Sequence, residues 1–266
     1  DRRTTVTTIG EFTTGKFSLQ LVKAKDEYGD EQNYKLISDW IKQNKEMYHP
    51  RELLSHLDDE SNLFDTLHPY LRSLEMNKRD EEWTILVNDY VENPGGLHHL
   101  ARMSRNLKYR RRFLTVAVWM LTTSDPDARM FLIRLLYRLL LERTDDIAWL
   151  MQQFPSCNDH YVLQGLYCAI YGVCLRSRDK LLLKNIAETV YHRYYKYGKD
   201  VPVDIVLRQW TLKILERASV IDSSLDYFKR IKLPFKSRSP YKDMLKNEIP
   251  EGYFGGIFAR SGLSLK

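Results

Sequence analysis

Apolar and polar residues change their period once along this chain. Through the first two dozen residues they alternate, as in Thr5-Val6-Thr7-Thr8-Ile9 and Lys16-Phe17-Ser18-Leu19-Gln20-Leu21-Val22. That is the period of a strand, and it predicts a short N-terminal β-hairpin. The acidic, glycine-bearing run from Lys25 to Glu31 reads as a loop. Beyond it Tyr34, Ile37, Trp40 and Ile41 recur at helical spacing, and helical periods continue to about residue 230.

Pro50 stands near the start of a short helix, and Leu63, Leu67, Leu71 and Leu74 mark the stripe of another. Trp83, Leu86, Val87, Tyr90 and Val91 share one face of a segment over 80–92. Asn93-Pro94 is expected to end it and to cap the next helix. Helices follow over 109–121 and 126–142. The second has Asp125 as N-cap, Pro126 in its first turn, and an apolar face of Leu132, Leu135, Leu136, Leu139 and Leu140. A short helix over 147–154 stops at Pro155. The next, over 160–175, is apolar almost all round, so neighbours must cover it. Gly165 and Gly172 lie on roughly one side of it and are expected to let a neighbouring helix come close. Two more helices are predicted over 180–197 and 203–220. After Phe228, Pro234, Pro240 and Pro250 with Gly252, Gly255 and Gly256 predict an extended tail.

Many helices of this length joined by short loops predict an all-α protein, an irregular α-solenoid of HEAT/TPR-like helix pairs, with a compact helical bundle as the alternative. The tetratricopeptide signature is absent, whereas Asp125-Pro126-Asp127-Ala128-Arg129 looks like the start of a HEAT-type repeat. The organisation expected is a strand-like segment and loop over 1–31, a helical-repeat domain over 32–230, and an extended tail over 231–266.

An apolar content of 43% in 266 residues can fill a substantial core. Cys157, Cys168 and Cys174, an odd number in so long a chain, make no disulfide framework and point to a reducing, cytoplasmic setting. No run of apolar residues is long enough to cross a membrane, and neither end reads as a natural terminus, so a piece of a longer polypeptide is expected. Forty-one Lys and Arg against thirty-five Asp and Glu give a formal +6, too mild to imply a nucleic-acid partner by itself.

Several constellations approach a known chemistry and stop short of it. Gly10-Glu11-Phe12-Thr13-Thr14-Gly15-Lys16-Phe17 nearly matches a phosphate-binding loop, but Phe17 stands where a magnesium-holding hydroxyl is required, and a strand follows instead of a helix. Cys157 and His160 open a metal-like spacing, yet Cys168 and Cys174 diverge on their helix, so buried thiols are expected and neither metal nor cofactor. His98 and His99 are adjacent and diverge on a helix. Asp58-Asp59-Glu60 and Asp145-Asp146 fit loops or helix starts, where negative charge is favoured.

Two polar clusters remain. Arg102, Arg105, Lys108, Arg110, Arg111 and Arg112 bridge a predicted helix end and a helix start, and could grip phosphates or an acidic protein surface. Tyr191, Arg193 and Tyr195, with Tyr194, Tyr197, His192 and Lys196 around them, form an aromatic-basic patch that suits protein interfaces and base stacking alike, with about half of its tyrosines expected to face the core.

The segment Asp159 to Gly172, the Asp125-Pro126-Asp127 helix start, Leu207-Arg208-Gln209-Trp210 with Leu215-Glu216-Arg217-Ala218, and the Pro-Phe-Lys-Ser stretch from Pro234 fall in one order. That order resembles the helical C-terminal regions of bacterial STAND-type ATPases, including the AVAST antiviral sensors. Gln164-Gly165 stands where the family pattern has a charged Glu-Arg pair. The resemblance implies a non-catalytic sensor or scaffold arm that recognises a viral protein, with ATPase and effector domains outside this chain. The alternative is a nucleic-acid-binding helical protein that uses the cluster from Arg102 to Arg112.

Overall fold

The computed structural model describes residues 48–57, 63–105, 107–155, 157–196 and 201–231. The expected β-hairpin, the phosphate-loop look-alike and the extended tail lie outside them. Among the described residues all regular structure is helical and no strand occurs.

The amino-terminal half is built of short elements. Helix α1 (Pro50–Ser55) has Pro50 at its first position, and the His49 ring accepts from the Arg51 N–H at 3.2 Å. α2 (Leu63–Ser73) precedes α3 (Met76–Arg79), which passes through a π-helical turn (Asp80–Thr84) into α4 (Ile85–Glu92). The expected segment over 80–92 therefore starts earlier and contains a π turn, across which the Thr84 hydroxyl donates to the Asp80 carboxylate at 2.9 Å.

Asn93 ends α4 as expected, but it does not cap α5 (Gly96–Met103). Gly95 does so, at φ 104°, a left-handed conformation that glycine adopts without strain. Gly96 is required for a different reason: a Cβ there would lie 1.9 Å from the Tyr90 carbonyl oxygen. The Gly96 N–H donates to the Asn93 carbonyl at 2.9 Å, a turn that puts Gly95 at the helix start in place of Asn93.

α6 (Arg110–Trp119) and the 3₁₀ turn after it (Met120–Thr122) run through the middle of the molecule, buried without a break from Phe113 to Thr122. Around Trp119 the core is polar as well as aromatic. The Trp83 indole N–H donates to the Trp119 carbonyl at 2.9 Å, and the Trp119 indole donates to His68 Nδ1 at 3.1 Å. His68 Nε2 is left to donate to the Gln153 carbonyl at 3.0 Å, so both ring nitrogens are satisfied in the neutral tautomer.

The carboxy-terminal half is more regular: α7 (Pro126–Glu142), α8 (Asp145–Gln153), α9 (His160–Arg176), α10 (Lys180–Tyr194) and α11 (Ile205–Ile221), with a 3₁₀ turn at Asp226–Arg230. The apolar helix α9 is flanked by α7 on one side and α11 on the other; α10 packs on α11, and α8 touches α10. The two glycines of α9 act as sockets for side chains. A Cβ at Gly165 would stand 2.7 Å from the Leu121 side chain, and one at Gly172 2.8 Å from the Tyr137 ring. Asp125, Asp159, Asp179 and Asp204 each accept from backbone N–H groups in the first turn of α7, α9, α10 and α11, closing donors that the helix cannot use. No described helix is long and apolar enough to cross a membrane.

Candidate interaction surface

The basic run divides between a helix end and a helix start, as its sequence suggested: Arg102 lies in the last turn of α5, and Arg110, Arg111 and Arg112 open α6. The three arginines of α6 have different environments. Arg110 reaches inward, donating from Nε to Asp146 Oδ2 at 2.6 Å, from Nη2 to the Leu139 carbonyl, and approaching Glu142 at 3.5 Å. Asp146 is 2% exposed, so Arg110 neutralises a buried carboxylate while it closes the end of α7. Arg112 donates to the Leu57 carbonyl just past α1 at 3.0 Å, with its guanidinium 5.0 Å from the Tyr109 ring. Arg111 points outward. Its side chain is 60% exposed, stacked 5.2 Å from Trp149 and 4.0 Å from Asp146 Oδ1.

These residues surround an open cleft of about 340 Å³, lined by Lys108, Tyr109, Arg110, Arg111, Arg112, Arg143 and Asp146. Lys108 is exposed beside the Tyr109 ring at 5.1 Å, and Arg143 is exposed at the end of α7. Neither pairs with a carboxylate among the described residues. Arg143 was outside the predicted run, because α7 brings it to the cleft across more than thirty residues of sequence. Arg102 and Arg105 are exposed but do not line the cleft.

The aromatic-basic patch near Tyr191 is engaged in holding helices together. Arg193 donates to the Tyr167 hydroxyl at 2.9 Å and to the Met151 carbonyl at 2.7 Å, joining α10 to α9 and to the end of α8. Tyr195 is 8% exposed, and its hydroxyl meets Thr211 Oγ1 at 2.7 Å and the Arg208 carbonyl at 3.3 Å. Burial pushes its pKa up to about 12. Tyr191 is half-buried against Tyr227, ring centroids 5.1 Å apart. Arg193 and Tyr195 are thus taken up by contacts within the molecule.

A recurring device was not visible beforehand. Arg79, Arg110, Arg193 and Arg217 each donate to carbonyls at the C-terminal end of another helix: Leu71 and Leu74 for Arg79, Leu139 for Arg110, Met151 for Arg193, Cys174 and Leu175 for Arg217. Helix ends carry unused acceptors and a partial negative charge, which a guanidinium satisfies together. Arg79 goes furthest. It is fully buried, stacks 5.1 Å from Trp119, also donates to Asn158, and lies 3.6 Å from Asp159, the N-cap of α9. Apart from Arg79 and Leu71, which sit on consecutive helices, at least 29 residues separate each arginine from its helix end, so no short-range spacing announces the pairing.

The remaining chemistry-bearing groups stay apart. His98 is exposed, while His99 Nδ1 meets the Tyr90 hydroxyl at 3.0 Å. Burial first, then Arg102 and Arg51, lower the His99 pKa. Cys157, Cys168 and Cys174 are free thiols; burial raises the pKa of each, that of Cys174 to about 12, which keeps them protonated and weakly nucleophilic. Among the described residues no three His, Cys, Asp or Glu side chains gather to hold a metal ion. Comparison with protein-family models, curated proteins and solved structures finds no match to this chain.

Proposed function

We propose that this chain is a non-catalytic recognition module of stacked helix pairs, an irregular α-solenoid, that binds an acidic surface of a protein partner through the cleft at the start of α6. The observation that carries the reading is the set of exposed cations on that cleft, Lys108, Arg111 and Arg143, while Arg110 and Arg112 beneath them are tied to other helices. Exposed charges of this kind add little to folding stability, and guanidinium groups steer and orient acidic partners. The solenoid reading draws support from α7, α9 and α11 lying side by side with α8 and α10 as a second row, the arrangement in which each pair buries its face against the next. Resemblance to the sensor arm of STAND-type antiviral ATPases makes a viral protein the partner to seek, in the cytoplasm of an infected bacterium.

The test is capture of a partner from lysates of infected and uninfected bacteria, with and without nuclease, by the chain and by a Lys108→Glu, Arg111→Glu, Arg143→Glu variant. A viral protein held by the first and released by the second, despite nuclease, is the expected result. Equal capture by both excludes the cleft as the docking site. Recovery that disappears with nuclease favours the alternative reading, binding of nucleic acid through the cluster from Arg102 to Arg112.

A further inference from the structure

The cleft at the start of α6 is small. At about 340 Å³ it is at the lower end of the size of ligand sites and has room for a small charged group. Five cations border it, against one carboxylate, Asp146, which Arg110 already holds at 2.6 Å. Arg111 presents its fork to solvent from a fixed position, with Trp149 on one side and Asp146 behind it. α6 opens without a capping side chain and with three arginines in its first turn, where the helix end is itself positive. That accumulation of like charge is unfavourable in the empty cleft and would be relieved by a group of high negative charge.

Resting on the recognition reading above, we propose that the cleft is a pocket for a single phosphate group carried by the partner protein, on a phosphorylated serine or threonine. A phosphate monoester brings nearly two negative charges and three acceptor oxygens, matching the exposed cations Lys108, Arg111 and Arg143 better than a carboxylate does. A nucleic-acid strand fits the surroundings less well. Glu142, 56% exposed beside Arg110, interrupts the cationic track. The rings a base would stack on are already engaged, Tyr109 by Lys108 and Arg112 and Trp149 by Arg111.

The experiment is titration of the full chain with N-acetyl-phosphoserine methylamide, followed by calorimetry and by the Nε–Hε NMR signals of its arginines. The same amides of serine and glutamate, inorganic phosphate and a short oligothymidylate serve as comparisons. The phosphoserine probe is expected to bind about tenfold more tightly than the glutamate one, and to weaken as pH falls through about 6 and the phosphate regains a proton. Arg111→Gln and Lys108→Gln each lose about tenfold in affinity with unchanged thermal melts, whereas Arg102→Gln, off the cleft, binds as before.

Equal affinity for the glutamate and phosphoserine probes overturns the proposal, as does full binding by Arg111→Gln. Tighter binding of inorganic phosphate than of the phosphoserine probe reassigns the pocket to the free ion. Salt-sensitive binding of oligothymidylate in its place reassigns it to nucleic acid. Because these titrations use no captured partner, a failed titration beside cleft-dependent capture removes the phosphate and leaves the recognition reading. A successful titration beside failed capture does the reverse.

Discussion

Four of the five helices from α7 to α11 begin with an aspartate that closes on its own backbone, whereas none of the helices from α3 to α6 has a capping side chain. The two regions are tied down at different groups, helix-start N–H donors in one and backbone carbonyls in the other. In the second, the helix starts are capped locally, Arg193 and Arg217 close the ends of α8 and α9, and α9 lies between α7 and α11. In the first, long-range polar contacts do the work: Arg79 on the ends of α2 and α9, Arg112 on the end of α1, Trp83 on the Trp119 carbonyl, Trp119 on His68. Local caps can be lost one at a time. A fully buried guanidinium with five partners cannot, because its loss leaves the buried Asp159 without its cation and the Leu71 carbonyl without that donor.

Arg79→Ala is therefore expected to have the largest effect of any single change. It strips the buried Asp159 of its cation and takes the Arg79 donor from the Leu71 carbonyl, at a cost of roughly 3–5 kcal/mol. Urea denaturation reads this directly, and a loss below about 1 kcal/mol would mean that water replaces the guanidinium. Gly96→Ala forces a Cβ against the Tyr90 carbonyl and should cost about 1–3 kcal/mol, with backbone amide exchange rising around α4 and α5 rather than in α7–α11.

Asp179→Ala, in the regular half, removes one local cap from α10 and should cost only about 1 kcal/mol by the same denaturation measurement. A loss as large as that of Arg79→Ala would erase the distinction between the regions. The smallest effect is that of acid. Burial, and to a lesser extent Arg72, hold the His68 pKa below its ordinary 6.5, although the bond to the Gln153 carbonyl opposes them. The folded chain thus keeps the ring neutral where the unfolded chain protonates it. Stability from this residue is present above pH 6.5 and declines as pH falls toward the lower folded value. Thermal melts between about pH 7 and pH 5 should show that decline, reduced in His68→Gln; an unreduced slope would assign it to other groups such as His99.

The candidate surface follows the same division. That a cationic cluster bridges the end of α5 and the start of α6 was legible, because charge density is a property of neighbouring residues. Which of its members face solvent was not. Arg110 and Arg111 are adjacent and chemically identical, yet one is held by the buried Asp146 while the other is 60% exposed, and only the packing of α6 against α7 and α8 separates them. Tyr195 and Arg193 carried an interface composition but serve Thr211, Tyr167 and Met151.

By itself the sequence determined what depends on short separations: the helical class of the described residues, α7 with its Asp125 cap and Pro126 start, and the need of α9 for neighbours that cover it. These follow from a period of 3.6 residues and from side chains that reach only their own first turn. Tertiary structure alone decided the π turn at Asp80, the cap at Gly95, the burial of Arg79 and the assembly of a cleft that includes Arg143. The last two depend on atoms brought together across tens of residues, where hydrogen-bond geometry and desolvation select among arginines that composition cannot tell apart.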